Sequence, residues 1–156
     1  MGIPERIERN VDLSYYEGQI PVNYLYTYGL GLEKFFRGII KGEFLASRCP
    51  ECGAVYFPCR VYCERCFSGI AGTFKVPGTG TLFSYTVCHF NSDGTPKKKP
   101  DVVGLIEMDG AEGAKFVHLL DAEPEKLHIG MKVRAVLKPA RERKGHLSDI
   151  KGFKRV

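Results

Sequence analysis

Residues 49–66 read CPECGAVYFPCRVYCERC, and five of the chain's six cysteines fall inside those eighteen positions. Two C-x-x-C pairs, Cys49/Cys52 and Cys63/Cys66, are separated by ten residues. Each pair makes a tight turn presenting two thiolates, and the intervening segment brings the turns together, as a four-cysteine zinc site requires. Gly53, directly after Cys52, frees the backbone to aim amide groups at sulfur. Zn²⁺ is the expected metal; iron is the alternative, because tetrahedral S₄ sites also suit it. Four thiolates leave no open coordination position for water, so the site is expected to be structural rather than catalytic. Cys59 would replace Cys63 only at the loss of the second tight turn, and is read as a spare, partly buried thiol.

Paired C-x-x-C motifs act as metal ligands where the compartment is reducing, and a cytoplasmic location is expected. MGIPERIERN carries charges at Glu5, Arg6, Glu8 and Arg9 where a signal peptide needs an apolar run. No apolar stretch approaches the roughly 20 residues that span a bilayer.

Upstream of the cysteines, residues 1–29 read as an extended arm. In NYLYTYG, Tyr24, Tyr26 and Tyr28 share one side, either packed on the domain or presented to a partner. Residues 30–44, LGLEKFFRGIIKGEF, read as an amphipathic helix with Leu32, Phe35, Phe36, Ile39 and Ile40 on its apolar face. Gly42 supplies its C-terminal stop.

Downstream the period changes to two. Residues 79–90, 101–109, 115–121 and 131–138 are four strand candidates, and a fifth lies within 146–156. Residues 123–130 could form a helical turn before the fourth. Five short strands with a small helical insert between the third and fourth fit a closed Greek-key barrel, best an OB-fold. The expected architecture is mainly β with an N-terminal helix. The segments are an arm and helix at 1–44, a zinc ribbon at 45–70 and a five-stranded OB-fold barrel at 71–156.

Nothing nominates a catalytic residue. Cys88 and His89 are adjacent on one strand and point to opposite faces, so they cannot pair. Cys88 is read as a small core residue. His89, His118, His128 and His146 are scattered, and nucleophile-elbow, P-loop and dinucleotide fingerprints are absent. Charge points elsewhere. Residues 131–156 hold nine basic groups against two acids, and the first 130 residues sum to −2 within a net charge of +5. In an OB-fold, 90–100 and 139–146 would be the two ligand-holding loops. They carry Lys97, Lys98, Lys99 and Arg141, Arg143, Lys144. A polyanion is the expected ligand, either nucleic acid or a phosphate-rich cofactor such as coenzyme A.

The order of parts resembles a known family. KGEFLASRCPECGAVYFP, GTGTLFSYTV, DVVGLIEMD and IGMKVRAVL are similar to segments of small proteins that join a rubredoxin-like zinc ribbon to an OB-fold. That family was long catalogued as a domain of unknown function and occurs beside thiolase-like enzymes. The resemblance covers the chain from about Leu30 to the end. It implies zinc ligation by Cys49, Cys52, Cys63 and Cys66. It implies a non-catalytic accessory subunit that assembles with a thiolase-like catalytic subunit and helps bind an acyl-CoA thioester. Two departures stand out: Cys59 occupies a position that is commonly proline, and CERCFSG lacks a glycine directly after Cys66. The alternative is a single-stranded nucleic-acid-binding module, with Phe83 and Tyr85 as a stacking platform.

Overall fold

The computed structural model describes residues 26–156. The proposed arm therefore lies outside the described residues except for its last positions, Tyr26 and Tyr28.

Helix α1, Gly29–Lys41, buries Phe35, Phe36, Gly38 and Ile39. Ile40, expected on that face, is 43% exposed. The helix stops where the sequence places its stop. Gly42 adopts the left-handed conformation (φ 83°), and its N–H reaches back to Ile39 and Gly38 carbonyls. A mid-helix glycine costs about 1 kcal/mol relative to alanine. At Gly38 the reason is proximity: a Cβ there would come within 3.0 Å of the Glu43 carbonyl oxygen and the Leu45 side chain.

Three short strands follow: β1, Phe44–Arg48; β2, Val55–Tyr56; and β3, Phe74–Val76. They form an antiparallel sheet in the order β2-β1-β3. β3 had no signal in the sequence, being only three residues long.

The rest is a closed barrel of β4 (Thr79–Phe90), β5 (Pro96–Met108), β6 (Lys115–Leu120), β7 (Lys132–Leu137) and β8 (Ile150–Arg155). The strand order is β4-β5-β6-β8-β7. The helical insert between β6 and β7 is a single 3-10 turn, Pro124–Lys126. All neighbours pair antiparallel except β6 and β8, which close the barrel through one parallel pair, Leu120↔Phe153. Gly80 and Leu82 are the buried residues of β4; Phe83, which falls within the register shift between Leu82 and Ser84, and Tyr85 beyond it are exposed.

One continuous core runs through the helix, the small sheet and the barrel, from Phe35 and Ile39 through Phe44 and Phe57 to Phe116, Ile106 and Phe153. The Phe57 ring meets Phe35 at 5.4 Å on one side and Phe116 at 5.2 Å on the other, both edge-on. No described helix is long and apolar enough to cross a membrane.

Candidate functional site

The two C-x-x-C turns fold against each other as their spacing requires. One sulfur from each of Cys49, Cys52, Cys63 and Cys66 falls within 4.8 Å of the other three. Cys49 and Cys66 sulfurs are 3.5 Å apart, and those of Cys52 and Cys63 3.4 Å. A tetrahedral ZnS₄ centre with bonds of about 2.3 Å holds its sulfurs about 3.8 Å apart, so the donor set fits that ion. Cys49 and Cys63 are buried while Cys52 and Cys66 reach solvent.

The turns share one hydrogen-bond plan. In the first, Gly53 N–H donates to the Cys49 carbonyl at 3.1 Å; in the second, Phe67 N–H donates to the Cys63 carbonyl at 3.0 Å. Both residues that follow the second cysteine of their pair are left-handed, Gly53 at φ 73° and Phe67 at φ 59°. The missing glycine after Cys66 thus leaves the knuckle's shape intact and places the strain on Phe67.

Two polar side chains without a signature in the sequence serve the sulfurs. The buried Tyr56 hydroxyl lies 3.1 Å from the Cys63 sulfur and accepts the Glu64 N–H. The Ser68 hydroxyl bridges Cys49 and Cys66 at 3.0 and 3.1 Å. The Tyr56 hydroxyl is the main reason the Cys63 thiol falls to about 6. The Cys52 N–H, then Ser68, lower Cys49. The Ala54 N–H works to lower Cys52 too, but its hydrogen bond with Cys63, burial and the neighbouring sulfurs push it up to about 12. Four close thiols cannot all ionise unaided; a divalent cation held by Cys49, Cys52, Cys63 and Cys66 would supply the missing positive charge.

Cys59 stands apart from this cluster. It is 1% exposed, sits in the main core and donates to the Gly31 carbonyl at 3.3 Å. Burial raises its thiol above the usual range. It therefore joins the core against α1, more deeply than the partial burial expected of it. Cys88 is partly buried on β4.

The basic residues have different environments. The connection between β4 and β5 is short, and Lys97, Lys98 and Lys99 lie on β5 rather than in a loop. Lys97 pairs with Asp101 at 2.9 Å. Lys99 shares a cleft of about 440 Å³ with Lys151, Asp101 and Asp121. On its other side it lines a second cleft with Arg155. Arg143 turns to the helix: its Nε donates to the Lys138 carbonyl at 2.7 Å and its Nη1 to the Ile40 carbonyl at 3.4 Å. Arg141 is exposed, 3.7 Å from Glu142, and Lys144 is exposed.

Comparison with known proteins follows the same division of the chain. The family model for the ChsH2 rubredoxin-like zinc ribbon domain matches residues 41–70, and that for the ChsH2 C-terminal OB-fold domain matches 75–138. A DUF35 domain-containing scaffold protein of Methanocaldococcus jannaschii is 37% identical over 104 residues, 63% of this chain and 70% of that protein. A DUF35-family protein of unknown function from Sulfolobus solfataricus shares the fold. Its TM-score is 0.63 at 21% identity, over 82% of this chain and 87% of that one. A chain of the Ltp2–ChsH2(DUF35) aldolase superposes with a TM-score of 0.57 at 25% identity, over 78% of this chain and 91% of its own length. The chain belongs to the DUF35 family, carrying that family's zinc ribbon and OB-fold in that order.

Proposed function

We propose that this protein is a non-catalytic accessory subunit of a thiolase-superfamily enzyme complex. One structural Zn²⁺ on Cys49, Cys52, Cys63 and Cys66 stabilises the ribbon. The barrel helps the catalytic subunit hold an acyl-CoA thioester, with phosphates drawn to basic side chains among Lys97, Lys98, Lys99, Arg141, Arg143 and Lys144. The observation that carries this reading is the likeness to a chain of a two-component aldolase, over nine-tenths of that chain. The sulfur geometry agrees with a closed, structural metal site. Of the basic set, Lys98, Lys99, Arg141 and Lys144 are exposed, whereas Arg143 has backbone partners on two elements.

Affinity capture from the native host, followed by mass spectrometry, tests the assembly. A thiolase-like polypeptide at stoichiometric yield is expected, and its absence counts against the reading. Purified alone, the chain should not cleave a CoA thioester above background; robust cleavage would defeat the accessory role. Elemental analysis should return one zinc per chain and a colourless protein, whereas iron would make the site redox-capable.

A second reading, binding of single-stranded nucleic acid, is favoured by one arrangement. Phe83 is 50% exposed with the Lys115 ammonium 4.4 Å from its ring centroid, and Tyr85 is exposed on the same strand. A salt-sensitive gel shift that CoA does not compete would support it.

A further inference from the structure

The second cysteine turn sits in a short hairpin that puts two aromatic rings in water. Its Cys63 N–H donates to the Ser68 carbonyl at 2.9 Å and its Ile70 N–H to the Val61 carbonyl at 2.7 Å, with a Tyr62–Gly69 bridge between them. Tyr62 is 69% and Phe67 82% exposed, and neither belongs to a buried apolar cluster. A lone exposed apolar side chain is ordinary. Two features set this pair apart. Both are aromatic, the type most enriched where proteins meet. Phe67 also stands at φ 59°, where its counterpart in the first turn is Gly53. A bulky side chain in that region is strained, and strain of this kind gathers at binding sites. Within the chain little offsets it, because the ring stays in solvent. A pocket that took the ring out of water would.

Charge says what carries that pocket. Arg48, Arg65 and Glu112 line one cleft of about 280 Å³ beside Cys52. On the hairpin Arg60 pairs with Glu64, and Glu51 is exposed between the first two cysteines. Three arginines are thus matched by three glutamates. A nucleic acid needs an excess of positive charge and finds none here. An aromatic knob ringed by charges of both signs suits a protein surface, with the rings desolvated at the centre and the charges at the rim. A second copy in two-fold pairing would need the patch to complement itself. The cleft beside the knob is lined by charged side chains and offers it no apolar socket.

We infer that Tyr62 and Phe67 form a knob by which the ribbon docks into an apolar pocket of the catalytic partner. This rests on the accessory role proposed above and deepens it by naming the surface that makes the contact.

Two measurements on the full-length tagged chain in its native host test it. With the photo-crosslinker p-benzoylphenylalanine in place of Phe67, irradiation should join the chain to the thiolase-like polypeptide that the unaltered chain captures, as identified by mass spectrometry. Phe67→Gly should lower capture of that polypeptide by about tenfold or more. Zinc content and Tm should not fall, because glycine suits the left-handed backbone better. A Phe67 that serves only the fold predicts undiminished capture. That result overturns the inference and leaves the accessory role standing. So does a crosslink to a second copy or to nucleic acid alone, or the lack of any crosslink. Should Phe67→Gly shed zinc, the crosslink alone decides. An unaltered chain that captures no thiolase-like polypeptide defeats the accessory role and the inference together.

Discussion

Phe67 and Gly53 hold the same place in two turns built alike, and only one of them suits that place. A side chain at φ 59° carries about 1–2 kcal/mol of strain. Phe67 is 82% exposed, so little burial offsets that cost. Glycine gives back part of the gain through unfolded-state entropy. Phe67→Gly should therefore stabilise the ribbon by about 0.5–1 kcal/mol, raising Tm by about 2 °C; a clear drop in a thermal scan would contradict this. The neighbouring hydroxyls act differently, by orienting and relieving the sulfurs. Tyr56→Phe removes the Cys63 contact with little change in volume. It should weaken zinc binding by about 10- to 100-fold in a chelator competition, with the fold intact by circular dichroism. The missing glycine after Cys66 is visible in the sequence, whereas the Tyr56 effect rests on a side chain that spacing rules pass over. The C-x-x-C count exposes the ligands themselves, but a tyrosine or serine near a cysteine has no pattern that marks it as a donor to sulfur.

At the scale of elements, the connection between β7 and β8 is the joint that fastens the helix to the barrel. Asp149, 1% exposed, accepts N–H bonds on Oδ2 from Lys144, Gly145 and His146 at 2.8–3.1 Å. The loop so fixed carries Arg143 to the Ile40 carbonyl and His146 to the Phe36 ring. Burial alone would raise the Asp149 carboxyl, but the amides and Lys138 outweigh it, leaving it below the usual carboxylate range. A depressed carboxyl stabilises the fold above its unfolded pKa and ceases to do so as pH falls through the folded value. Asp149→Asn should thus cost about 1–3 kcal/mol near neutrality by urea titration. The gap from the native chain should narrow as pH falls below the ordinary carboxylate range and close once it has passed the depressed pKa of the native carboxyl, which then takes up a proton. A gap that persists in acid would refute the carboxylate's role. Most elements here are legible in the sequence: α1 from its 3.6 period and Gly42, and the strands from alternation. The lysine run read as a loop because KKKP breaks that alternation, yet β5 extends through it on the pairing of Phe90 with Pro96 and Cys88 with Asp101. The strand count points to a closed barrel, but the sequence does not mark which residues close it, since the one-pair parallel contact of β6 with β8 is decided by packing around Phe153 rather than by local propensity.

For the whole molecule, the consequential fact is that the ribbon and the barrel share one core. A structural zinc contributes on the order of 10 kcal/mol to a unit of this kind, comparable with the entire stability of a typical domain. Removing it by chelation, or weakening it by Cys49→Ser, should therefore unfold β1, β2 and their turns. Phe57 then leaves its place between Phe35 and Phe116. Loss of one such buried ring costs about 3–5 kcal/mol, a large share of what holds the barrel. The expected result is coupled loss rather than a bare ribbon hanging from an intact barrel. Hydrogen exchange followed through a chelator titration measures it: amides of Ala46 and Tyr56 in the ribbon and of Ile106 and Val133 in the barrel should lose protection together. Barrel amides that keep full protection after those of the ribbon are gone would show two independent units. Under the accessory role proposed above, coupled loss makes one further outcome expected: metal removal should abolish capture of the partner even where the partner contacts only the barrel.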